Sequence, residues 1–408
     1  MKKRIYGALF SIYTSILRLF RKPLSGSALV MPPYSPGSFG DEAVVTSAVV
    51  QLARQGVNKI GLVSYREDDN WSYLSGISEV FCLQDFYEYE SWGVRFRFCR
   101  MASRYERFFV LGTDVMDGYY GPRDSLQRIA VAKMAAQTGV PTRIISFSFN
   151  SRPDPECVMA LKSLPDTVRL FGRDPLTLQR LTSSLQRPVE LVADVAFLLE
   201  PTPETDKVQS VYQWVERERH AGRVVIGINA NHILLEQVKD LTTVRLVNAY
   251  AVAMHEITAR ISNASFLLIP HDIRGRVSDV MLAEAIYTAV DEAVRIHCKI
   301  IPTPCKPSEI KAMVAGLNFV LSGKMHLAIA CLGQGVPVIC VAYQDKFEGL
   351  FQHFEMDGLT IQPQDVVSPG KLSAFFIEKY EQREALAAQV QRRLPAVREL
   401  AAVSLAGA

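Results

Sequence analysis

Short apolar runs alternate with longer stretches of helical periodicity along most of this 408-residue chain. Between residues 29 and 199, and again between 223 and 343, the runs have the length and composition of buried strands. Continuous apolar strands that alternate with helices are typical of parallel sheets with crossover helices. A polar, proline-rich segment at 200–206 separates the two series. The pattern therefore predicts an α/β protein with two Rossmann-like domains.

The length of the chain also favours two domains, because a single hydrophobic core rarely grows beyond roughly 250–300 residues. Helical patterns flank the two domains at both ends of the chain. The predicted limits are an N-terminal amphipathic helix at 1–22, an N-terminal domain at 24–200, a linker with a helix at 201–222, a C-terminal domain at 223–365 and a C-terminal helical segment at 366–408.

The first 22 residues combine basic ends with an apolar centre and lack a clear small-x-small cleavage site of a signal peptide. On a helix, the polar positions Gly7, Ser11, Thr14, Ser15 and Arg18 form one stripe. The remaining surface is a wide apolar face made of Ile5, Leu9, Ile12, Tyr13, Ile16, Leu17 and Phe20. A comfortable transmembrane span takes ~20 apolar residues, so this segment is too short. We predict a helix that lies in the plane of a membrane, and the alternative is a helix docked on its own domain.

Composition argues against several classes of function. A net charge of +3, without a basic stripe interleaved with aromatic residues, does not indicate nucleic-acid binding. The seven cysteines are odd in number and form no Cys-x-x-Cys pair, which favours reduced thiols in the cytoplasm. The histidines have no metal-ligand spacing, and the glycine-rich phosphate loop of ATPases is missing from the sequence. We therefore expect neither a required metal nor ATP hydrolysis.

The densest chemistry lies between Ser322 and Leu350. Lys324 and His326 open a helix after one predicted strand, and Lys346 follows the next strand. Ligands of open parallel sheets bind outside the carboxyl ends of the strands. Two lysines and the N–H groups of a helix would hold an anion there. The alternative is a core histidine with satisfied ring nitrogens and two solvated lysines.

Two earlier segments also carry polar residues next to predicted strands. Gly40 precedes a predicted helix that begins with Asp41 and Glu42, where the carboxylates either cap that helix or bind sugar hydroxyls. Asp114 and Asp117 follow a later strand, where they either form a turn or serve as a base or hydroxyl ligand. The sequence leaves both interpretations open for each pair.

In their order along the chain, these residues resemble the signature of the polysaccharide pyruvyl transferase family. The family's Arg-x-His, Gly-x-Pro and Tyr-x-x-Lys motifs correspond to Lys324, His326, Gly335, Pro337, Tyr343 and Lys346. Further segments similar to family motifs are Gly37–Ala43, 112–118, Phe171–Asp174 and Ile269–Asp272. One departure is Lys324, which stands where the family usually has arginine. Lysine keeps the charge but lacks the planar fork that binds carboxylate or phosphate through two hydrogen bonds.

The resemblance implies a GT-B-type architecture, in which two Rossmann-like domains face a cleft with an acceptor side and a donor side. It implies transfer of a pyruvyl group from phosphoenolpyruvate onto sugar hydroxyls as a ketal, in exopolysaccharide or cell-surface polysaccharide biosynthesis. Phosphoenolpyruvate is then the donor substrate, and no cofactor is required. The expected partners are a saccharide acceptor and, through the N-terminal helix, the inner face of the membrane. The acceptor is expected to be lipid-linked if that helix binds the membrane.

The same resemblance implies roles for individual residues. His326 is the first candidate for the general acid, because histidine exists in both protonation states near neutral pH, and His271 is the second. Asp114 or Asp117 is the candidate base. Substrate binding is assigned to Lys324, Met325, Lys346, Arg274, Arg276, Gly40, Asp41, Glu42 and Arg173.

Two other functions stay open from the sequence. A nucleotide-sugar-dependent glycosyltransferase of the GT-B type would use the same fold and similar cations to hold a diphosphate. A catalytically diverged scaffold of the same family would have lost donor binding through the lysine at position 324.

Overall fold

The computed structural model of the protein describes residues 2–275 and 277–407. By their contacts, the residues fall into two compact units. The first unit contains the chain up to Pro36, the segment Val44–Leu198 and the chain from Glu399 onward. The second unit contains Gly37–Ala43 and Leu199–Arg398. Each unit is an α/β domain built on one parallel sheet, as the sequence predicts.

Seven strands form the sheet of the first unit. They are β1 Leu24–Met31, β2 Lys59–Ser64, β3 Ile77–Cys82, β4 Tyr105–Thr113, β5 Thr142–Phe147, β6 Val168–Gly172 and β7 Glu190–Leu191. The helices are α1 Lys2–Leu19, α2 Phe39–Arg54, α3 Gln84–Tyr89, α4 Trp92–Ala102, α5 Pro122–Gln137, α6 Pro155–Lys162 and α7 Pro175–Leu185, followed by a 3-10 helix Val195–Leu198. The strand order is β3-β2-β1-β4-β5-β6-β7, so the winding reverses between β1 and β4.

Six strands form the sheet of the second unit. They are β8 Val224–Ile228, β9 Ala264–Leu268, β10 Cys298–Ile300, β11 Phe319–Ser322, β12 Val338–Val341 and β13 Thr360–Ile361. The helices are α8 Asp206–His220, α9 Leu234–Gln237, α10 Thr243–Arg260, α11 Asp279–Ala289, α12 Glu292–Arg295, α13 Pro307–Val314, α14 Met325–Leu332, α15 Lys346–Gln352, α16 Pro363–Val366, α17 Lys371–Glu381 and α18 Arg383–Val403. The strand order is β10-β9-β8-β11-β12-β13, and the winding reverses between β8 and β11.

Two helices of the second unit, α8 and α11, begin at a side chain that accepts a backbone hydrogen bond. Thr205 accepts the N–H of Val208 at the start of α8, directly after the proline-rich segment. Ser278 accepts the N–H of Met281 and starts α11, which places Asp279 in the first turn of that helix. The Asp279 carboxylate accepts the backbone N–H of His271, just after β9, and is therefore part of the site described below.

Helix α1 packs on its own unit. The ring of Phe10 lies 5.4 Å from that of Phe96 in α4, and the ring of Tyr13 lies 5.0 Å from the same ring. Leu17 also packs against the core, so Tyr13 and Leu17 do not belong to the exposed apolar face predicted for them. The opposite side of the helix stays exposed at Ile5, Leu9, Ile12, Ile16 and Leu19. Within residues 2–275 and 277–407, we find no helix with the length and apolar character needed to cross a membrane.

Candidate functional site

The second unit brings polar residues together where its sheet changes winding direction. β8 lies at the centre of this sheet, with β9 on one side and β11 on the other. In open parallel sheets, the crevice for ligands forms outside the carboxyl ends of the strands at this switch point. The residues that follow β8, β9, β11 and β12 therefore define the candidate site.

Two asparagines after β8 hold the turn that follows β11. Asn229 Oδ1 accepts the N–H of Gly323 at 3.1 Å, and Asn231 Nδ2 donates to the carbonyl of Gly323 at 2.7 Å. A Cβ on Gly323 would lie 2.6 Å from that of Asn231, so the close approach requires glycine. This turn presents Lys324 at the entrance of α14. Sequence reasoning missed both asparagines, although an Asn-x-Asn at the end of a predicted strand was a usable signal.

Lys324 is buried in an ion-pair cluster rather than solvated. Its Nζ lies 3.3 Å from Asp272 Oδ2 and 4.0 Å from Asp279 Oδ1. Arg274 binds Asp272 as well, with Nη2 2.9 Å from Oδ2. Burial by itself would raise the pKa of Asp272, but the Arg274 hydrogen bonds and the Lys324 charge outweigh it and lower the pKa to about 2. Asp272 therefore stays ionised and fixes the position of both cations.

His271 lies deep in the same cluster. Its ring stands edge-on to Phe39, with 6.0 Å between ring centroids, and its backbone N–H donates to Asp279 Oδ2 at 3.1 Å. The side chain is 4% exposed. Burial, followed by the neighbouring His326, lowers the pKa of His271 to about 3. At physiological pH His271 is therefore neutral, so it does not carry the charged imidazolium that a general acid would use.

His326 occupies the first turn of α14 and is only half-buried, whereas Met325 beside it is buried. The backbone of Gly40, at the start of α2, packs directly against the imidazole. A Cβ at position 40 would lie 2.8 Å from His326 Cγ and closer still to Nδ1. The absence of a side chain at Gly40 thus lets the ring of His326 sit against the first turn of α2.

The carboxylates next to Gly40 join the same cluster. Glu42 Oε1 accepts the N–H of Gly37 at 2.8 Å, and Asp41 Oδ2 lies 3.6 Å from Arg274 Nη1. Burial raises the pKa of Glu42 to about 7, because it outweighs the stabilising hydrogen bond from Gly37. Glu42 is therefore a carboxyl group that exchanges its proton near neutral pH.

Lys346 lies at the end of β12, the strand next to β11. Its Nζ donates to the hydroxyl of Tyr343 at 3.2 Å and sits 4.8 Å from the centre of the Tyr343 ring. The side chain is buried. Lys324 and Lys346 thus occupy the carboxyl ends of adjacent parallel strands, as the sequence predicts. The predicted ligand Arg276 lies outside the described residues.

The remaining predicted site residues belong to the first unit, at the carboxyl ends of its strands. Asp117 is fully buried, and its Oδ2 accepts from the backbone N–H and the side-chain amide of Asn150 at 2.7 and 2.6 Å. Arg173 is also buried, with Nη1 2.9 Å from Asp194 Oδ2. Both side chains organise the ends of β4 and β6. Asp114 is half-buried and accepts a hydrogen bond from the hydroxyl of Tyr120 at 3.1 Å.

Solved structures with the same two-domain architecture include sugar-nucleotide enzymes. The glycosyltransferase of Rickettsia africae is similar, with a TM-score of 0.57 and 10% identity over 94% of this chain and 99% of that one. The UDP-GlcNAc 2-epimerase of Neisseria meningitidis, bound to UDP-GlcNAc, has a TM-score of 0.56 and 12% identity over 92% of this chain and 98% of that one. At such identities the likeness concerns the fold alone, and it confirms the predicted GT-B-type class of two parallel-sheet domains.

Sequence comparisons give a family. None of the curated proteins matches the sequence significantly. The family model described as polysaccharide pyruvyl transferase matches residues 39–345. The matched segment begins at the first turn of α2 and includes the ends of β8, β9 and β11, with the cluster that surrounds Lys324 and His326.

Proposed function

Since this chain belongs to the polysaccharide pyruvyl transferase family over most of its length, we propose that it moves the pyruvyl unit of phosphoenolpyruvate onto two hydroxyls of a saccharide. The product is a cyclic ketal. The observation that carries the proposal is the meeting of His326, Lys324 and Glu42 at the switch point of the second sheet. These groups supply a proton carrier, a fixed cation and a carboxyl group with a near-neutral pKa in one place.

The proposed reaction uses two sugar hydroxyls and releases phosphate. One hydroxyl oxygen bonds to C2 of phosphoenolpyruvate while the methylene carbon C3 gains a proton and becomes a methyl group. The bond from C2 to the phosphate oxygen then breaks, and the second hydroxyl oxygen takes its place on C2. Of the two protons lost by the hydroxyls, one is balanced by the proton gained at C3 and the other leaves with phosphate. The protein must therefore accept two protons, give one to C3 and one to the leaving phosphate, and hold two anionic groups.

Anion binding in this proposal rests on the start of α14. Lys324 is the residue before α14 and its side chain does not cap that helix, whose N-terminal end carries the positive pole of the helix dipole. The Lys324 ammonium group lies at the same place, held by Asp272. Lys346 adds a second buried cation at the next strand end. We assign the carboxylate and phosphate of the donor to these groups.

Proton transfer in this proposal rests on His326 and Glu42. His326 is the residue proposed to protonate C3, since it is half-buried, whereas His271 is buried and its pKa of about 3 keeps it neutral. Glu42, with a pKa of about 7, suits the acceptance of a hydroxyl proton near neutral pH. This replaces Asp117 as the candidate base, because the hydrogen bonds of Asp117 are taken up by the loop that contains Asn150.

Phosphoenolpyruvate is expected to stabilise the full-length protein against thermal unfolding. A ligand at ~100 times its dissociation constant that binds only the folded state adds about 2.7 kcal/mol. Calorimetry with phosphoenolpyruvate, and separately with UDP-GlcNAc, measures this effect. We expect stabilisation by phosphoenolpyruvate that is lost in His326→Asn and Lys324→Ala.

The matched control for this experiment is Lys239→Ala, which removes a lysine from an exposed position of the same unit. It should keep the full response to phosphoenolpyruvate. A response to UDP-GlcNAc alone would replace the proposal by glycosyl transfer. Stability that neither compound changes would favour a scaffold that has lost donor binding.

We also propose that α1 holds the protein on the cytoplasmic face of a membrane and that the acceptor is a lipid-linked saccharide of exopolysaccharide or cell-surface polysaccharide synthesis. The exposed side of α1 presents the apolar side chains of Ile5, Leu9, Ile12, Ile16 and Leu19. Basic residues follow directly at its C-terminal end. An apolar helical face flanked by lysine and arginine is typical of helices that lie in the interface of anionic membranes.

The triple variant Leu9→Gln, Ile12→Gln, Ile16→Gln is expected to lose binding to vesicles of phosphatidylglycerol and phosphatidylethanolamine. Each apolar side chain contributes ~1.5–3 kcal/mol when it is buried, so binding should fall by at least about 100-fold. Co-sedimentation of the full chain with vesicles measures the loss. Met159→Gln and Val244→Gln change exposed apolar positions outside α1 and should leave binding unchanged. Equal binding of the wild type and the triple variant would show that α1 does not contact the membrane.

A further inference from the structure

The first unit contains a cavity that the proposed chemistry does not use. It lies at the carboxyl ends of β1 and β2, has a volume of about 200 Å³ and is open to solvent. Its wall is formed by Tyr34, Ser35, Tyr65, Arg66, Gln84, Tyr87, Glu88, Arg123, Asp124 and Arg128. β1 is also a strand of the switch point of this sheet, which is where open α/β sheets place their ligands.

Three tyrosines form one side of the cavity. The rings of Tyr34 and Tyr65 are stacked with 5.7 Å between their centroids, and the ring of Tyr87 lies 4.8 Å from that of Tyr65. Tyr34 keeps 39% of its surface exposed. A pyranose ring has an apolar C–H face and polar edges, so an aromatic wall with a few polar groups around it suits a sugar.

Arg128 adds a buried positive charge to the wall of the cavity. Its side chain is 1% exposed, yet among the described residues no carboxylate lies within ion-pair distance of it. Nη1 donates to the carbonyl of Pro32 at 2.9 Å and to the Tyr65 hydroxyl, and the guanidinium carbon lies 4.9 Å from the Tyr65 ring centre. Its Nε is buried and has no hydrogen-bond acceptor in the described part of the chain. A buried cation without an anion is costly, and a ligand anion would relieve that cost.

We propose that this cavity is the acceptor subsite and that it takes a saccharide with a carboxylate or phosphate group, which pairs with Arg128 while a sugar ring packs on Tyr34. Ser35 adds a buried hydroxyl that has no hydrogen-bond partner among the described residues, and Gln84 and Glu88 offer further groups for sugar hydroxyls. Arg66 and Arg123 also line the cavity, so that together with Arg128 three guanidinium groups outnumber the two carboxylates of Glu88 and Asp124. The inference rests on the proposed function, because it takes the saccharide to be the second substrate.

The probes for this proposal are glucuronate, glucose 1-phosphate and glucose, titrated into the full-length protein and followed by saturation-transfer NMR. At least one anionic probe should bind about tenfold or more tightly than glucose. Binding of glucuronate alone would show that the ligand is an acidic sugar, and binding of glucose 1-phosphate alone would show that it is a sugar phosphate. Binding of both would show that either anionic group is sufficient for recognition. Equal binding of all three probes, or binding of none, would overturn the proposal.

Variants locate the binding. Tyr34→Ala and Arg128→Gln should each weaken binding of the anionic probe by about tenfold or more. The Arg128 variant should also lose the preference for the anionic probe over glucose. Tyr34 is partly exposed, so its variant keeps the test decisive even if the Arg128 variant fails to fold. Tyr89→Ala, which removes a tyrosine that is 74% exposed on α3 outside the cavity, should bind like wild type. Unchanged binding in Tyr34→Ala would place the saccharide elsewhere.

Stabilisation by phosphoenolpyruvate, measured on the same Tyr34→Ala protein, separates this inference from the proposed function. We expect that response to stay at the wild-type level. If phosphoenolpyruvate stabilises the protein but the saccharide probes do not bind, only the acceptor subsite is wrong. If the anionic saccharide binds through Tyr34 and Arg128 but phosphoenolpyruvate has no effect, the cavity is still a saccharide site and the proposed pyruvyl transfer is wrong.

Discussion

Gly40→Ala is expected to lower phosphoenolpyruvate-dependent transfer by at least about 100-fold while the protein stays folded. The added Cβ would lie 2.8 Å from His326 Cγ and closer still to Nδ1, so the imidazole has to move. Displacement of a reacting group by ~1 Å costs on the order of 100-fold in rate. Release of phosphate from phosphoenolpyruvate in the presence of an acceptor saccharide measures the loss.

A double-mutant cycle shows whether the loss acts through the imidazole. His326→Asn alone should cost roughly 10²–10⁴-fold, the usual contribution of a general acid. Adding Gly40→Ala to it should cost little more, because the ring that the new methyl group displaces is already gone. Gly7→Ala is the control, since a Cβ at that helical position meets no atom within 4 Å. Losses that simply multiply in the double variant would show that Gly40 acts independently of His326.

Lys324, His326 and Lys346 could be located from the sequence because their positions depend on local features. β11 and β12 are continuous apolar runs, and each is followed within a few residues by a cation. A strand that ends in a turn and continues as a helix fixes which residues stand at the sheet edge. The same local logic located Gly40, Asp41 and Glu42 at the start of α2.

The partners of these residues could not be found in the same way, because they come from distant parts of the chain. Asn229 and Gly323 are 94 residues apart, and Lys324 and Asp272 are 52 residues apart. Gly37–Ala43 belongs to the second unit, although the segment that follows it belongs to the first. Such pairings are set by the order of strands in the sheet, which no local pattern specifies.

The protonation states of the candidate acids and bases also could not be predicted from the sequence. His271 and His326 both follow predicted strands and were candidates for the same role. Burial separates them, because His271 is almost inaccessible and its pKa falls to about 3, while His326 is half-buried. Burial also raises the pKa of Asp117, which is completely enclosed, whereas Asp114 is half-buried. The chemistry of an ionisable group depends on how far it is removed from water.

Lys311→Met is expected to raise the free energy of unfolding by on the order of 3 kcal/mol at pH 7. Lys311 lies in α13 with 1% of its surface exposed. Burial, and then the charge of Arg398, lower the pKa of this lysine to about 7, although Glu200 acts in the opposite direction. Methionine has a similar volume and no charge, so the variant removes the cost of burying an ammonium group. Urea unfolding at several pH values measures the gain.

The pH dependence of this gain distinguishes relief of a buried charge from better packing. In the folded protein Lys311 loses its proton near pH 7, whereas in the unfolded chain it keeps the proton up to about pH 10.5. Wild-type stability should therefore rise between these two pH values, and the advantage of Lys311→Met should be largest at or below pH 7 and shrink toward pH 10.5. Lys239→Met, at an exposed position, should change stability little at any pH. A constant advantage of Lys311→Met across this range would mean that packing, and not the buried charge, limits stability at this position.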